Sequence, residues 1–317
     1  PNGVCAGIRQ HKGEWDMGLL VLGTVALDDV KTPSGTKKAM LGGSAAHFSM
    51  SARLFDDVHL AGVVGKDFPK LHLDFLKRKG INIVSLVSAP GQTFRWQGEY
   101  KAEDLNSAIT HETQIGVLAD YQPVLTEQQK SMGYIFLANL APAVQEKLLK
   151  LIRKPHLVGL DTMNLWVNTA LKDLKRLMKN VDLMVLNDGE SRMLTGERNI
   201  VMAAKALHAM GPRVVVIKKG EHGVYVFGGN FRFAYPAYPV ERVVDPTGAG
   251  DTFAGGLFGY LSKSKKMDEK TLRRAAVYGT VLASFNVEGF GTGRTAPLTM
   301  KDVEKRLKEY HHFCALA

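Results

Sequence analysis

The chain has 317 residues, of which 45% are hydrophobic and 23% charged, values ordinary for a globular protein and unlike a disordered one. The formal net charge is +10, but the basic residues are scattered over predicted helix faces, without a nucleic-acid-binding motif or a basic tail. No run approaches the roughly 18 apolar residues that a membrane span requires. We therefore expect neither a nucleic-acid nor a membrane partner.

Residues 1–16 lack hydrophobic periodicity and begin with Pro1, as a processed or added lead-in segment would. Residues 17–317 have a length that suits one large α/β domain. The two cysteines, Cys5 and Cys314, are too few for a disulfide framework, which favours a reducing, cytoplasmic location.

Short apolar segments alternate with helical patterns along most of the chain. The predicted strands lie at 19–22, 60–64, 134–138, 157–160, 183–186 and 214–217. The predicted helices lie at 44–54, 69–79, 143–152, 169–178 and 200–210. Most of the strands lack polar alternation, which is typical of parallel strands that are buried on both faces. Strand alternating with helix predicts an α/β structure in layers.

The last third of the chain departs from this rhythm. Segments 224–227 and 232–235 flank a Gly-Gly-Asn turn and predict a hairpin at the sheet edge. Three helical segments follow, near 251–261, 271–285 and 299–310. Earlier in the chain, two extended insertions near 29–41 and 92–115 fall outside the alternation, and we expect them to form a small β lid.

The most informative string is Asp-Pro-Thr-Gly-Ala-Gly-Asp at 245–251, a Gly-rich turn that leads directly into an apolar helix. The N–H groups of Gly248, Ala249 and Gly250 should lack helical partners, and the helix dipole adds to their attraction for an anion. Asp251, in the first helical turn, could take a proton from a hydroxyl that attacks a phosphoryl group. The alternative is that Asp251 only caps the helix.

Residues 245–256 closely resemble the C-terminal signature of the PfkB (ribokinase-like) family of carbohydrate and nucleoside kinases. Gly-Gly-Ser-Ala-Ala-His at 42–47 is similar to the first family signature, and Asn-Asp-Gly-Glu at 187–190 resembles its Asn-x-x-Glu motif. The resemblance extends over most of residues 18–310. It implies a ribokinase-like, three-layer α/β/α fold with a central, mostly parallel sheet and a small β lid.

The resemblance also implies roles for individual residues. The catalytic residues would be Asp251, Gly248, Ala249 and Gly250. The substrate-binding residues would be Asp28, Gly42, Gly43 and His47, and Asp161 is a further candidate because it follows a strand. The nucleotide-binding residues would be Asn187, Glu190, Lys218, Gly220 and Asn286. A monovalent cation would be held by Asp245, Thr247, Ser284 and Gly289, and Glu190 would organise Mg²⁺ through water.

Several of these residues have simpler explanations. His47 stands where many family members have Asn, and a neutral imidazole offers only one donor and one acceptor. His47 could equally pack on a helix face, Asp28 could be a turn residue, and Lys218 could be a surface strand end. Asn187 and Glu190 have the spacing of a helix cap and its partner.

The expected activity is that of an ATP-dependent phosphotransferase acting on the hydroxymethyl group of a sugar or nucleoside, with Asp251 as general base. The expected cofactors are ATP and Mg²⁺, with K⁺ as a candidate. A vitamin or pyrimidine kinase of the same superfamily and a catalytically silent, ligand-binding member are the alternatives. In the lid, Phe94 and Trp96 alternate with Arg95, and either face could contact a sugar or base. The lid strands are also a candidate homodimer contact, and core or dimer packing is the alternative for the aromatic residues.

Overall fold

The structure, a computed structural model, describes residues 18–315. The predicted lead-in at 1–16 lies outside these residues. The strands are β1 (Leu19–Leu22), β2 (Ala26–Thr32), β3 (Gly35–Gly42), β4 (Val58–Gly65), β5 (Ile81–Ala89), β6 (Arg95–Lys101), β7 (Asp104–Gln114), β8 (Tyr134–Leu137), β9 (Leu157–Asp161), β10 (Leu183–Asn187), β11 (Val214–Lys218), β12 (Val224–Phe227) and β13 (Arg232–Tyr235). The helices are α1 (Ser44–Ala52), α2 (Lys70–Arg78), α3 (Glu127–Lys130), α4 (Pro142–Leu151), α5 (Asn164–Thr169), α6 (Leu171–Met178), α7 (Asp188–Thr195), α8 (Ile200–Ala209), α9 (Ala249–Ser264), α10 (Glu269–Asn286) and α11 (Met300–Cys314).

The central sheet has the strand order β13-β12-β11-β10-β9-β8-β1-β4-β5. The strands from β11 to β5 run parallel, and the β12–β13 hairpin continues the sheet antiparallel at one edge. Within β1, Leu19 and Val21 belong to the core under α1, α9 and α10, whereas Leu20 and Leu22 belong to the core under α4 to α8. The sheet is thus buried on both faces, and the predicted three-layer α/β/α fold is confirmed.

The predicted parallel strands and the edge hairpin are all present, with ends that shift by at most two residues. Strand β5 was not predicted, because this edge strand alternates buried and exposed residues instead of forming an apolar run. The helix predicted at 169–178 begins at Leu171, and the separate short helix α5 precedes it. No helix within residues 18–315 is long and apolar enough to span a membrane.

A second sheet, which we call the lid, has the strand order β3-β2-β6-β7. Its central pair, β2 and β6, is parallel, and the outer strands run antiparallel to them. At one end of the lid, the Thr32 hydroxyl donates to the Val244 carbonyl at 2.8 Å. At the other end, Asn106 Nδ2 donates to Glu221 Oε1 at 3.3 Å. The lid therefore reaches both the loop before α9 and the loop after β11.

Candidate active site

The Gly-rich turn at the start of α9 agrees with the sequence prediction at Gly248 but not at Ala249. Gly248 has φ 73°, in the left-handed region, and a Cβ there would lie 2.3 Å from the His47 ring, so a larger residue does not fit. The Ala249 N–H donates to the Pro246 carbonyl at 3.2 Å. The expectation that the N–H groups of 248, 249 and 250 are all unpaired is therefore wrong for Ala249, because the tight turn closes on it.

Asp251 lies in the first turn of α9 and is partly buried. Burial raises the pKa of its carboxyl group to about 7. The negative charge of Asp161 raises this pKa further, and the positive charge of Lys218 lowers it. Asp251 thus combines a position beside the Gly-rich turn with a basicity suited to proton transfer near neutral pH.

Lys218, the last residue of β11, lies beside this turn. Its Nζ donates to Asp161 Oδ2 at 2.9 Å, and a Cβ on Gly250 would lie 2.8 Å from the same nitrogen. Burial lowers the pKa of Lys218, but the charges of Asp161 and Glu190 more than compensate, so this pKa is raised and the ammonium stays charged. Asp161 was a candidate substrate-binding residue, and the structure places it as the ion-pair partner of Lys218.

Asn187 and Glu190 form a capping box at the start of α7. Asn187 Oδ1 accepts from the Glu190 N–H at 2.7 Å, and Glu190 Oε2 accepts from the Asn187 N–H at 2.8 Å. Burial raises the pKa of Glu190 to about 7, and the charge of Asp161 contributes to that shift. The capping interpretation is correct. The capping box also holds the Glu190 carboxylate within electrostatic reach of Lys218 and Asp161.

Asp28 lies on β2 against the Gly42–Gly43 turn. A Cβ on Gly42 would lie 1.8 Å from Asp28 Oδ2, and Gly43 has φ 90° with its backbone against the Thr24 carbonyl. Burial raises the pKa of Asp28 to about 7, while a hydrogen bond from the Gly43 N–H opposes this and the charges of Asp245 and Asp251 add to it. The structure therefore brings Asp28, Gly42 and Gly43 together, within electrostatic reach of Asp251.

His47 belongs to a buried hydrogen-bond network around Asn286. Asn286 Nδ2 donates to the Thr247 carbonyl at 2.8 Å, which fixes the orientation of the amide. Asn286 Oδ1 then accepts a hydrogen bond from the Thr252 hydroxyl at 3.0 Å. His47 Nδ1 lies 3.2 Å from the same oxygen and must carry the proton. Burial lowers the pKa of His47, so the ring is neutral. His47 and Asn286 thus pack against the Gly-rich turn and hold it in place.

Asp245 is completely buried. Its Oδ1 accepts from the Thr247 N–H at 2.9 Å, and its Oδ2 accepts from the Gly291 N–H at 3.0 Å. Among residues 18–315, none of the ion pairs involves this carboxylate. A buried carboxylate in the loop before α9, hydrogen-bonded to the loop after α10, fits a site for a monovalent cation.

The other two candidate cation ligands lie at the end of α10. The Ser284 hydroxyl donates to the Val281 carbonyl at 2.6 Å and accepts from Arg306, so this side chain is already engaged. The Gly289 N–H donates to the Asn286 carbonyl at 3.3 Å. Ser284 and Gly289 would therefore contribute backbone carbonyl oxygens rather than side chains.

Tyr100, at the end of β6, was not predicted as a site residue. Its hydroxyl approaches the Thr247 side chain, and burial raises its pKa to about 12, with the charges of Asp245, Asp28 and Asp251 adding to the shift. The signal in the sequence was the alternation along β6, which places Trp96, Gly98 and Tyr100 on one face.

A doubly covered parallel sheet, with a Gly-rich helix start, an adjacent carboxylate and a buried lysine at one edge, defines a small-molecule kinase of the ribokinase-like class. The sequence pattern of the pfkB family carbohydrate kinases matches residues 19–299. The chain belongs to this family.

Among curated relatives, the chain is 31% identical over 261 residues to cytidine kinase of Thermococcus kodakarensis. The aligned region covers 80% of this chain and 91% of that protein. It is 30% identical over 133 residues to ribokinase of Haemophilus influenzae, which covers 40% of this chain and 42% of that protein. The chain is thus similar to both nucleoside and sugar kinases.

Solved structures show the same fold. Nucleoside kinase of Methanocaldococcus jannaschii, an archaeal member of the ribokinase family, has a TM-score of 0.74 at 21% identity, covering 93% of this chain and 100% of that one. An Escherichia coli protein assigned as ribokinase II, in complex with ATP and Mg²⁺, has a TM-score of 0.76 at 17% identity, covering 92% and 99%.

Proposed function

We propose that the protein transfers the γ-phosphoryl group of ATP to a hydroxymethyl group of a nucleoside or sugar. The observation that carries this proposal is the placement of Asp251, in the first turn of α9, beside both the Gly-rich turn and the Lys218 ammonium. The similarity to a cytidine kinase over most of both chains supports a nucleoside as the first candidate.

The acceptor would bind between the main domain and the lid. Asp28 is a buried lid carboxylate within electrostatic reach of Asp245 and Asp251, and it can accept hydrogen bonds from substrate hydroxyls. The Gly42–Gly43 turn packs directly against this carboxylate, because a Cβ on Gly42 would collide with Asp28 Oδ2 and one on Gly43 with the Thr24 carbonyl. A closed lid would exclude water from the phosphoryl group.

In the transfer step, Asp251 would accept the proton of the attacking hydroxyl. Its raised pKa makes it a stronger base than an exposed carboxylate, and it remains available near neutral pH. The N–H groups of Gly248 and Gly250, with the positive end of the α9 dipole, would stabilise charge on the transferring group. Lys218 would add a full positive charge at the same edge of the sheet.

The donor set at the nucleotide side fits Mg²⁺ held through water. The capping box uses Glu190 Oε2, so Oε1 can accept from a metal-bound water, and hard oxygen donors of this kind suit Mg²⁺. Bound there with ATP, Mg²⁺ would neutralise phosphate charge. Asp245 and the Thr247 carbonyl would hold K⁺ and so keep the Gly-rich turn in place.

A panel assay of ADP formation tests this proposal. Wild-type protein with MgATP should form ADP only when a nucleoside or sugar with a free hydroxymethyl group is present, and the 5′-deoxy analogue of the best acceptor should give none. Turnover of the 5′-deoxy analogue would contradict the proposed acceptor group. ATP binding without turnover on any acceptor would favour the silent, ligand-binding alternative, and turnover restricted to hydroxymethyl pyrimidines would favour the vitamin-kinase alternative.

A further inference from the structure

The lid presents one face to the candidate active site, and the strand register identifies it. Trp96 on β6 pairs with Asp28 on β2, so in this parallel pair both side chains lie on the same face. Gly98 and Tyr100 follow at alternate positions of β6. Asp28 and Tyr100 are both within electrostatic reach of Asp245 and Asp251. The face that carries Trp96 is therefore the one that faces the site.

Arg95 lies on the opposite face of the same strand. Its guanidinium donates to Asp67 Oδ2 at 2.9 Å, which ties Arg95 to the loop after β4. The aromatic side chain, rather than the cation beside it, is thus directed toward the acceptor.

The Trp96 indole is held in one position. Its six-membered ring lies over Gly98, where a Cβ would come within 2.1 Å of the ring, so Gly98 must lack a side chain for the ring to lie there. The indole Nε1 donates to the Thr110 hydroxyl on β7 at 3.1 Å. The ring remains partly exposed. A fixed, partly exposed indole is a preorganised apolar surface.

We propose that Trp96 is the platform on which a nucleobase stacks, and that the acceptor is therefore a nucleoside rather than a free sugar. This inference rests on the proposed kinase function. Asp28, on the neighbouring strand, would bind the sugar hydroxyls while the indole covers the attached planar base. A free pentose would provide the hydroxyl groups that bind Asp28, but it would leave the Trp96 indole uncovered. Stacking of a base on an aromatic side chain is strong and tolerant of base identity. The site would therefore require that a base be present but would discriminate little between different bases.

The test compares nucleosides with D-ribose in wild type and in Trp96→Leu. Loss of stacking should raise KM for cytidine, uridine and adenosine about 10- to 100-fold, while KM for ATP and any activity on ribose stay within about twofold. Trp96→Phe should recover most of the nucleoside affinity. An equal loss of ribose and nucleoside activity in Trp96→Leu would mean that Trp96 only supports the lid and would overturn the inference.

A second pair of variants displaces the indole without removing it. Gly98→Ala places a methyl group where the indole lies, whereas Gly229→Ala adds one into open space and serves as its control. Gly98→Ala should reduce nucleoside turnover as Trp96→Leu does, and Gly229→Ala should not. If Gly98→Ala left nucleoside turnover unchanged, the indole position would not matter and the inference would fail.

A binding measurement separates failure of this inference from failure of the proposed function. Cytidine should quench tryptophan fluorescence in the Asp251→Asn variant, and Trp96→Phe in that background should remove the quench. Quenching without turnover in wild type would contradict the kinase function and keep the base platform. A wild type that phosphorylates ribose in preference to every nucleoside would keep the kinase function and refute the base platform.

Discussion

Lys218 Nζ donates to Asp161 Oδ2 at 2.9 Å, joining the carboxyl ends of β11 and β9 across β10. Both side chains are largely buried, with 17% and 5% of their surface exposed. Removing one partner of a buried pair costs stability, because the remaining charge loses most of its compensation. The pair fixes the ammonium beside Gly250, so in the proposed reaction Asp161 would act by positioning Lys218.

Asp161→Asn should therefore change the pH dependence of the reaction as well as its rate. The substitution removes a negative charge near Asp251 and leaves the positive charge of Lys218 without its ion-pair partner. Both changes lower the pKa of Asp251, so the acid limb of the kcat/KM profile should move to lower pH. We also expect kcat/KM for ATP to fall about 10- to 100-fold. Steady-state kinetics from pH 5 to 9 measures both effects. Asp173→Asn, in an exposed pair with Arg176, is the control and should match wild type. An unshifted acid limb with reduced activity would indicate a structural role only.

Activity should fall as the pH drops through about 7. Asp251 and Asp28 each have a pKa raised to about 7, and each would act as the carboxylate, one accepting the proton and one binding hydroxyls. Glu190, whose pKa burial also raises to about 7, would lose its contact with metal-bound water in the same range, so the acid limb of log kcat/KM against pH should have a slope greater than one. In Asp28→Asn the slope should decrease. A flat profile between pH 5 and 8 would show that neither carboxylate titrates in this range.

The Asp251→Asn variant should be more stable than wild type at pH 8. The pKa of Asp251 is about 7 in the folded protein against 3.8 ordinarily, so the folded state binds this proton more tightly than the unfolded state. The stability that this proton provides is complete at low pH and is lost as the pH rises from about 4 to 7. Replacing the carboxylate should recover about 2 kcal/mol in the free energy of unfolding at pH 8. Urea denaturation at pH 8 and pH 4 measures this, and the gain should disappear at pH 4. An equal gain at both values would rule out the ionisation of Asp251 as its cause.

Gly248→Ala should damage both the fold and the activity, and Gly196→Ala provides a matched control. Both glycines have positive φ, 73° and 75°, so both substitutions carry the left-handed backbone cost of about 1 kcal/mol. Only at Gly248 would the new Cβ meet the His47 ring. Gly248→Ala should therefore cost about 3 kcal/mol in total and abolish turnover, since the turn must shift. Thermal unfolding and the ADP assay measure the two effects. Equal losses at the two positions would show that contact with His47 contributes nothing.

The sequence predicted the parts of this molecule that depend on local pattern. Continuous apolar runs identify the buried parallel strands, and the Gly-rich string locates the helix start that bears Asp251. Edge strand β5 lacks such a run, because one of its faces meets solvent. The Lys218–Asp161 pair depends on sheet order, which brings together residues 57 positions apart. Tyr100 depends on how the lid folds over the main domain, and spacing along the chain does not specify that arrangement.

The most direct test of the proposed mechanism is the turnover of Asp251→Asn with MgATP and the best acceptor at pH 8, compared with wild type and Asp173→Asn. We expect a loss of at least about 100-fold in kcat, the usual scale for removing a general base, with nucleotide affinity nearly unchanged. Asp173→Asn should keep wild-type turnover. A kcat for Asp251→Asn within a few fold of wild type would contradict the central claim that Asp251 accepts the proton of the attacking hydroxyl.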